Sequence, residues 1–167
     1  LYENAKKSEE FPATAIYTAW HMHGMRSLLP MRTIDVDGNV EDWEGIEPIT
    51  SRDFEGDSSS SKVGTDLKYL YLAMDKKYTY MRIDTYRGVP AGNTNFWYTL
   101  SLFKPFKTNI RYALEITRHE DNYVAEVNKY DRNAGELFSR YRVGNTLRMS
   151  GTHIEARFHN SSILDFL

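Results

Sequence analysis

Alternation of apolar and polar residues is the dominant pattern of the chain from residue 67 onwards. Residues 68–74 alternate, Lys76 and Lys77 interrupt the pattern, and residues 78–84 alternate again. Successive side chains of a β-strand point to opposite faces, so this pattern predicts two half-buried strands joined by a tight turn. Further strand signals follow at short, regular spacing, at residues 96–103, 109–118, 123–130, 138–143, 146–149 and 152–158. Many short strands of this kind predict an all-β fold, an antiparallel β-sandwich.

The segments between these strands have turn chemistry. Residues 119–122 read His-Glu-Asp-Asn, residues 131–135 read Asp-Arg-Asn-Ala-Gly, and Gly144-Asn145 fits a tight hairpin. Residues 15–20 form another candidate strand, and residues 161–166 a candidate short helix.

The same pattern of residues predicts the domain organisation. Residues 1–14 are polar, without clear periodicity, and we expect a linker or tail there. Residues 15–167 are expected to form a single β-sandwich domain. Because the chain begins at Leu1, without a methionine or a signal peptide, we also expect it to be part of a longer protein.

The alternation also sorts each strand into an apolar inner set and a more polar outer set. In residues 96–103, for example, Tyr98, Leu100 and Leu102 are inner and Trp97 is outer. If the outer sets of several strands share one sheet, its exposed face is a candidate ligand-binding surface. The candidate ligand-binding residues are Arg82, Asp84, Tyr86, Trp97, Arg111, Glu115, Glu126 and Asn128.

This mixture of side chains suits a sugar. An aromatic plane covers the apolar face of a pyranose, and planar charged groups bind pairs of hydroxyls. Trp97 is the best single candidate. The alternative is an ordinary half-exposed sheet face, on which neighbouring Arg and Glu side chains are surface ion pairs.

Composition narrows the remaining function classes. A chain of 167 residues with 41% hydrophobic residues can build one core without disulfides. The net charge of −2, with dispersed basic residues, gives no electrostatic basis for nucleic-acid binding. No run approaches the ~18 apolar residues of a membrane span. The absence of cysteine excludes a disulfide framework, thiolate chemistry and cysteine-based zinc sites.

Residues 34–43 read Ile-Asp-Val-Asp-Gly-Asn-Val-Glu-Asp-Trp. This segment resembles the opening I-D-G-x-x-x-D-W signature of family 9 carbohydrate-binding modules and their DOMON-like relatives. The match lies on Asp37, Gly38, Asp42 and Trp43. Residues 66–84 are similar to a D-L … D-x-x-x-L-Y-V pattern of these relatives, and residues 154–165 to their closing strand and turn. The resemblance covers roughly residues 31–167.

The resemblance implies a β-sandwich of jelly-roll type and non-catalytic glycan binding in an exported multidomain protein. In family 9 itself, the sugar lies in a slot between two tryptophans. Trp97 would supply one wall here, and Tyr86, Tyr130 or Tyr141 would have to supply the other, because no tryptophan follows Trp97. We interpret Trp43 of the signature as a core residue that packs against the sheet after the turn.

Two clusters of hard oxygen ligands are candidates for a cation. One cluster is Asp35, Asp37, Glu41 and Asp42, and the other is Asp53, Glu55, Asp57 and Asp66. Calcium prefers six to eight oxygen ligands of this kind, although neither cluster has EF-hand spacing. The resemblance also implies structural calcium, with Asp37, Asp42, Asp57 and Asp66 as the candidate ligands. The alternative is a pair of solvated acidic loops.

Copper and haem are also considered, because residues 21–25 read His-Met-His-Gly-Met and distant relatives of this sandwich bind haem. A conceivable axial pair is Met74 or Met81 with His153 or His159. We interpret these residues as a turn and core methionines, and expect neither cofactor.

Catalysis has little support in the sequence. No nucleophile elbow, His-Glu-x-x-His helix, P-loop or dinucleotide fingerprint is present. Asp84 and Glu115 could face each other as a glycosidase pair, but on an open sheet face both would stay solvated. We therefore expect a protein that is not an enzyme.

Three functions remain open. The first, which we favour, is a carbohydrate-binding module of a larger extracytoplasmic protein. The second is the ligand-sensing ectodomain of a membrane receptor, and the third is a structural or adhesive domain. The neighbouring domains of the parent protein would distinguish them.

Overall fold

The computed structural model describes residues 29–58, 62–90, 96–103, 110–120, 122–131 and 136–163. It contains eight strands in these ranges, in the order β1 (Leu67–Met74), β2 (Tyr78–Thr85), β3 (Trp97–Phe103), β4 (Ile110–His119), β5 (Asn122–Asp131), β6 (Glu136–Tyr141), β7 (Thr146–Ser150) and β8 (His153–His159). Two short 3-10 helices, Glu41–Trp43 and Asn160–Ile163, flank them.

The strands form two four-stranded antiparallel sheets. Sheet A has the order β1-β2-β8-β7, and sheet B has the order β3-β4-β5-β6. The chain passes from sheet A to sheet B after β2 and returns after β6. Within sheet B every neighbour in space is also the neighbour in sequence, which is the simplest way for short turns to connect strands.

One apolar core lies between the sheets and takes side chains from both. The buried contributors are Leu70, Leu72, Met74, Met81, Ile83, Ile154, Ala156 and Phe158 of sheet A, with Tyr98, Leu100, Leu102, Tyr112, Leu114, Ile116, Ala125 and Val127 of sheet B. These residues recur at every second position of their strands, as a two-residue period requires. The expected all-β antiparallel sandwich is thus confirmed, and so is the predicted inner set of each strand where side chains are described.

A second, smaller apolar cluster covers the opposite face of sheet A. Ile34, Trp43 and Ile46 pack there against Ala73 and Tyr80 of β1 and β2. Trp43 is only 2% exposed, so its interpretation as a core residue is confirmed. The segment of residues 34–46 therefore shields much of the outer face of sheet A, and sheet B carries the other outer face.

Differences from the predicted elements are small. Each strand begins and ends within about two residues of its predicted bounds, which is the usual spread for strand ends. A 3-10 helix at Asn160–Ile163 occupies the start of the predicted short helix. The predicted strand at residues 15–20 and the predicted tail at residues 1–14 lie outside the described residues.

Candidate ligand-binding face

Five of the eight candidate ligand-binding residues come together on the outer face of sheet B. The register places Trp97 opposite Thr117 and Arg111 opposite Tyr130, while Glu115 lies directly opposite Glu126. Asn128 lies two positions beyond Glu126 on the same strand, so its side chain shares this face. The five residues are Trp97, Arg111, Glu115, Glu126 and Asn128.

A hydrogen-bonded network joins the two carboxylates. The Asn128 Nδ2 group donates to Glu115 Oε2 at 2.6 Å and to Glu126 Oε1 at 2.9 Å. Like charges placed directly opposite each other on neighbouring strands destabilise a sheet. The shared amide offsets part of this repulsion, because it gives both carboxylates the same donor.

Glu126 is further neutralised by two arginines. Arg142 Nε donates to Glu126 Oε2 at 2.7 Å, and Arg140 Nε lies 3.3 Å from Glu126 Oε1. The Glu126 side chain is 2% exposed, so both ion pairs have one buried partner. Such a carboxylate is stable only with its counter-ions in place.

Glu115 has a different environment. Its contacts within the described residues are the Asn128 amide and the Tyr130 hydroxyl, which donates to Glu115 Oε1 at 3.2 Å. Burial raises the pKa of Glu115, and the charge of Glu126 adds to this effect, whereas the hydrogen bonds from Asn128 and Tyr130 and the charge of Arg111 oppose it. Glu115 is thus an acceptor that retains hydrogen-bonding capacity.

Arg111 and Trp97 lie at opposite ends of this row. The Arg111 guanidinium stacks over the Tyr130 ring, 4.3 Å from the ring centroid. Such stacking leaves the in-plane N–H groups of a guanidinium directed outwards for hydrogen bonds. Trp97 is 40% exposed, one of the most exposed large hydrophobic residues described.

A cavity of about 340 Å³ connects these groups. This volume lies at the lower end of the range for small-molecule sites. The lining residues are Trp97, Thr99, Ser101, Arg111, Glu115, Thr117, Glu126, Tyr130 and Arg140. A second cavity, between the sheets, has a volume of about 10 Å³ and is large enough for a single water at most. The outer face of sheet B is therefore the candidate functional site.

Three of the predicted ligand-binding residues do not belong to this face. Arg82 and Asp84 lie on β2, in sheet A, and Tyr86 follows that strand. The assumption that all outer sets share one sheet is therefore wrong, because alternation identifies the face of a strand but not its sheet.

The contacts of these three residues are local. Arg82 forms a two-point ion pair with Asp84, at 2.7 and 2.9 Å, and stacks over Tyr71. The Tyr86 hydroxyl donates to the Asp53 carbonyl at 2.6 Å and accepts from Arg52. These interactions fix the surface of sheet A and the adjoining loop.

The same separation affects two further expectations. Asp84 and Glu115 cannot form a glycosidase pair, because they lie on the outer faces of different sheets. Of the three tyrosines considered as a second aromatic wall, Tyr130 lines the cavity, whereas Tyr86 and Tyr141 do not.

Sequence reasoning missed the two arginines that hold Glu126. Arg140 and Arg142 are two residues apart within the predicted strand at residues 138–143; the observed β6 contains Arg140 and ends at Tyr141, just before Arg142. Their i, i+2 spacing places both side chains on one face and is the signal that could have identified them.

The predicted calcium ligands do not assemble into a site. Asp37 Oδ1 accepts from the Asn39 backbone N–H and Asp42 Oδ2 from that of Asp35, so both stabilise local turns. Asp66 is buried, with Oδ2 bonded to the Gly56 N–H, and its Oδ1 has no hydrogen-bond partner. Within the described ranges no three His, Cys, Asp or Glu side chains converge closely enough to hold a metal ion. Asp57 lies beside Asp53 in the second cluster, and calcium binding stays a prediction from the sequence.

The considered axial pairs for haem are also separated. Met74 and Met81 are buried in the core between the sheets, whereas His153 and His159 are on the outer side of β8. A methionine on one side of sheet A cannot share a metal with a histidine on the other. The His-Met-His-Gly-Met segment at residues 21–25 lies outside the described residues.

Comparison with known proteins adds no identity. No protein-family model, no curated protein and no solved structure matches this chain. In the part of the chain that the structure describes, no helix has the length and apolar character needed to cross a bilayer. The likeness to family 9 carbohydrate-binding modules remains an expectation from the sequence motifs.

Proposed function

We propose that this domain is a non-catalytic carbohydrate-binding module of a larger exported protein. The observation that carries the proposal is the cavity on sheet B, which joins the half-exposed Trp97 ring to a row of charged and hydroxyl side chains. Export and fusion to other domains are supported only by the likeness of the sequence motifs to those modules.

The groups at this face match the surface of a sugar ring. A pyranose has an apolar face that stacks on an aromatic ring, and an edge of hydroxyls that both donate and accept hydrogen bonds. Trp97 offers the ring, Glu115 offers acceptor oxygens, and Arg111 offers donors. A neutral polyol satisfies both charged groups without leaving either unpaired in the bound state.

The arrangement of the two carboxylates favours binding over hydrolysis. Glycosidase carboxylates flank the scissile bond from two sides. Glu115 and Glu126 instead lie side by side and share the Asn128 amide. Because Glu126 is also engaged by Arg140 and Arg142, it is not available as a nucleophile or a base.

The test is binding of the purified protein to a panel of polysaccharides and oligosaccharides by isothermal titration calorimetry, with and without calcium. We expect saturable binding to one glycan class, and about tenfold or greater loss in Trp97→Ala with an unchanged melting temperature. Phe54→Ala is the control, because Phe54 is an aromatic residue that is 80% exposed and is not part of the cavity lining.

Two outcomes would contradict the proposal. Equal binding by wild-type protein and Trp97→Ala would place the sugar site elsewhere. No binding by the folded protein to any glycan would favour the receptor or structural alternatives. Binding that requires calcium would point to a cation site that the described residues do not form by themselves.

A further inference from the structure

We propose that the cavity on sheet B binds the interior of a linear glycan chain, lying along strand β4, and not a chain end. We call this cavity the sheet B groove. The inference rests on the proposed glycan-binding function and concerns the length and the part of the chain that the groove recognises.

The length of the groove is the first argument. At one end Trp97 is paired with Thr117, and at the other Tyr130 is paired with Arg111. Positions 117 and 111 are six residues apart along β4, which corresponds to roughly 20 Å at the rise of an extended strand. All four residues line the same cavity, so one cavity reaches residues at both ends of this stretch of β4. A single sugar ring cannot contact both ends.

The shape of the lining is the second argument. Between the two ends, β3 contributes the short hydroxyl side chains Thr99 and Ser101 to the lining, and Thr117 of β4 adds a third hydroxyl at the Trp97 end. On β3 these short side chains leave room beside the longer Glu115, Glu126 and Arg140 side chains that line the same part of the groove. The hydroxyls and the Glu115 carboxylate can hydrogen-bond to successive rings of a chain lying there.

The separation of the aromatic rings is the third argument. A chain end can be enclosed when two aromatic rings face each other across one sugar. Among the described lining residues Tyr130 is the only aromatic besides Trp97, and it belongs to the far end of the groove. Arg111 already covers one face of Tyr130, so the Arg111–Tyr130 stack acts as a separate platform. Each platform therefore supports a different ring of the same chain.

The experiment measures how affinity depends on chain length and on the chain end. The probes are β-1,4-linked gluco-, xylo- and manno-oligosaccharides, from disaccharide to hexasaccharide, each also in a form with its reducing end reduced to the alditol. We expect affinity to rise at least about tenfold from disaccharide to hexasaccharide. We also expect the reduced hexasaccharide to bind as well as the unreduced one, because an interior segment does not present its end to the protein.

Variants at the two ends localise the effect. Trp97→Ala and Arg111→Ala should each lower hexasaccharide affinity about tenfold, while only one of them should affect the disaccharide. Phe54→Ala is the matched control outside the groove and should leave all affinities unchanged. Each variant is compared with wild type by its melting temperature, so that loss of folding is not mistaken for loss of binding.

The outcomes separate this inference from the proposed function. Disaccharide binding as tight as hexasaccharide binding, or loss of binding on reduction of the end, would overturn the inference and leave glycan binding intact. If none of the oligosaccharides binds but a polysaccharide in the panel does, the same length series is prepared from that polysaccharide and judged by the same criteria. If no glycan binds at all, both proposals fail.

Discussion

At the residue scale, the central feature of this protein is the pair of glutamates that face each other on β4 and β5. They share one amide donor, yet their surroundings differ. Glu126 is buried and held by two guanidinium groups, whereas the described hydrogen bonds to Glu115 come from the neutral side chains of Asn128 and Tyr130. The same residue type therefore has opposite consequences for stability at two adjacent positions, and one substitution made at both positions tests this directly.

The first prediction is that Glu126→Gln destabilises the protein, while Glu115→Gln does not. Removing the charge of Glu126 leaves the Arg140 and Arg142 guanidinium groups without their carboxylate counter-ion, at an expected cost of about 1–3 kcal/mol in the free energy of unfolding. Removing the charge of Glu115 removes the cost of burying an ionised carboxylate and the repulsion between this carboxylate and Glu126. Urea unfolding of both variants at neutral pH measures the difference.

The stability difference between Glu115→Gln and wild type should depend on pH, and the direction of this dependence checks the prediction. The folded protein raises the pKa of Glu115 above its ordinary value of 4.5, so the native state binds this proton more tightly than the unfolded chain. The contribution of Glu115 to stability therefore falls as pH rises above about 4.5. The advantage of Glu115→Gln over wild type should grow in the same direction. An advantage that shrinks as pH rises would contradict this account.

At the scale of elements, one buried carboxylate forms two hydrogen bonds that join the segment of residues 34–46 to sheet A, in addition to its apolar packing. Glu155 accepts from Trp43 Nε1 at 2.6 Å and from the Gly38 N–H at 2.8 Å, and His153 Nε2 contacts the Gly38 carbonyl. The central turn at Gly38 and the last residue of the signature-like segment, Trp43, therefore both bond to β8. Burial raises the pKa of Glu155, and the hydrogen bonds from Trp43 and Gly38 oppose this effect.

The second prediction concerns Trp43→Phe, which retains an aromatic ring and removes the donor to Glu155. The substitution leaves a buried carboxylate oxygen without its partner, at an expected cost of about 1–3 kcal/mol at neutral pH. Because the lost bond stabilised the ionised form, the pKa of Glu155 rises further in the folded variant. The penalty should therefore grow as pH rises through the folded-state pKa of Glu155, which lies above the ordinary value of 4.5.

Chemical denaturation of Trp43→Phe across this pH range makes the measurement. Trp97→Phe is the matched control, since Trp97 is 40% exposed and is expected to change stability by less than ~0.5 kcal/mol. A penalty for Trp43→Phe that is the same at acidic and neutral pH would show that the ring packing matters and the hydrogen bond does not.

The third prediction concerns the turn that positions this segment. Gly38 has φ +91°, and an added Cβ would lie 3.1 Å from Ser150 Cβ and 3.2 Å from Arg148 Cγ. Gly45 has a similar φ of +79°, but no atom lies within 4 Å of its added Cβ. Both alanine variants have the strain of positive φ, about 1 kcal/mol or more, and only Gly38→Ala also requires its neighbours Ser150 and Arg148 to shift slightly. Thermal unfolding should rank Gly38→Ala as the less stable variant, and equal melting temperatures would refute the contact argument.

The sequence was a good guide to elements and faces, and a poor guide to their assembly. A period of two is a local property, so the inner positions of β3, β4 and β5 could be assigned from the sequence. Which strands share a sheet depends on pairings across long stretches of chain, which local alternation does not encode. This is why Arg82 and Asp84 were grouped with Trp97, although they lie on another sheet.

The candidate site shows the same division. Its residues on consecutive, hairpin-linked strands, such as Glu115 and Glu126, could be placed on one shared face because neighbouring strands pair in sequence order. Arg140 and Arg142 were missed because their role depends on the register between β5 and β6, which contains an irregularity after Lys129. A shift of one residue would turn the outward side chains inwards, and the sequence alone does not fix it.

At the scale of the whole molecule, the two sheets divide their tasks. The outer face of sheet A is largely closed by residues 34–46 and contributes to stability. The outer face of sheet B carries the groove and keeps Trp97 exposed. The strands that carry both faces pack on the same core, but no side chain of the groove belongs to the cluster around Trp43.

The last prediction is that binding and stability can be changed independently through two tryptophans. Trp97→Ala should lower glycan affinity about tenfold and leave the free energy of unfolding nearly unchanged, because it removes a half-exposed ring. Trp43→Phe should do the opposite, because the ring lies on the far side of the sandwich from the groove. Calorimetric titration with the same glycan, at a temperature where both variants are folded, measures affinity, and urea unfolding measures stability.

A double variant, Trp43→Phe with Trp97→Ala, provides the decisive comparison. Substitutions far apart with no shared partner usually have additive effects on stability to within about 0.5 kcal/mol. The double variant should therefore show the affinity of Trp97→Ala and the stability of Trp43→Phe. If Trp43→Phe alone weakens binding in fully folded protein, the covered face of sheet A and the groove of sheet B are coupled through the core, and the division of tasks proposed for the two sheets is wrong.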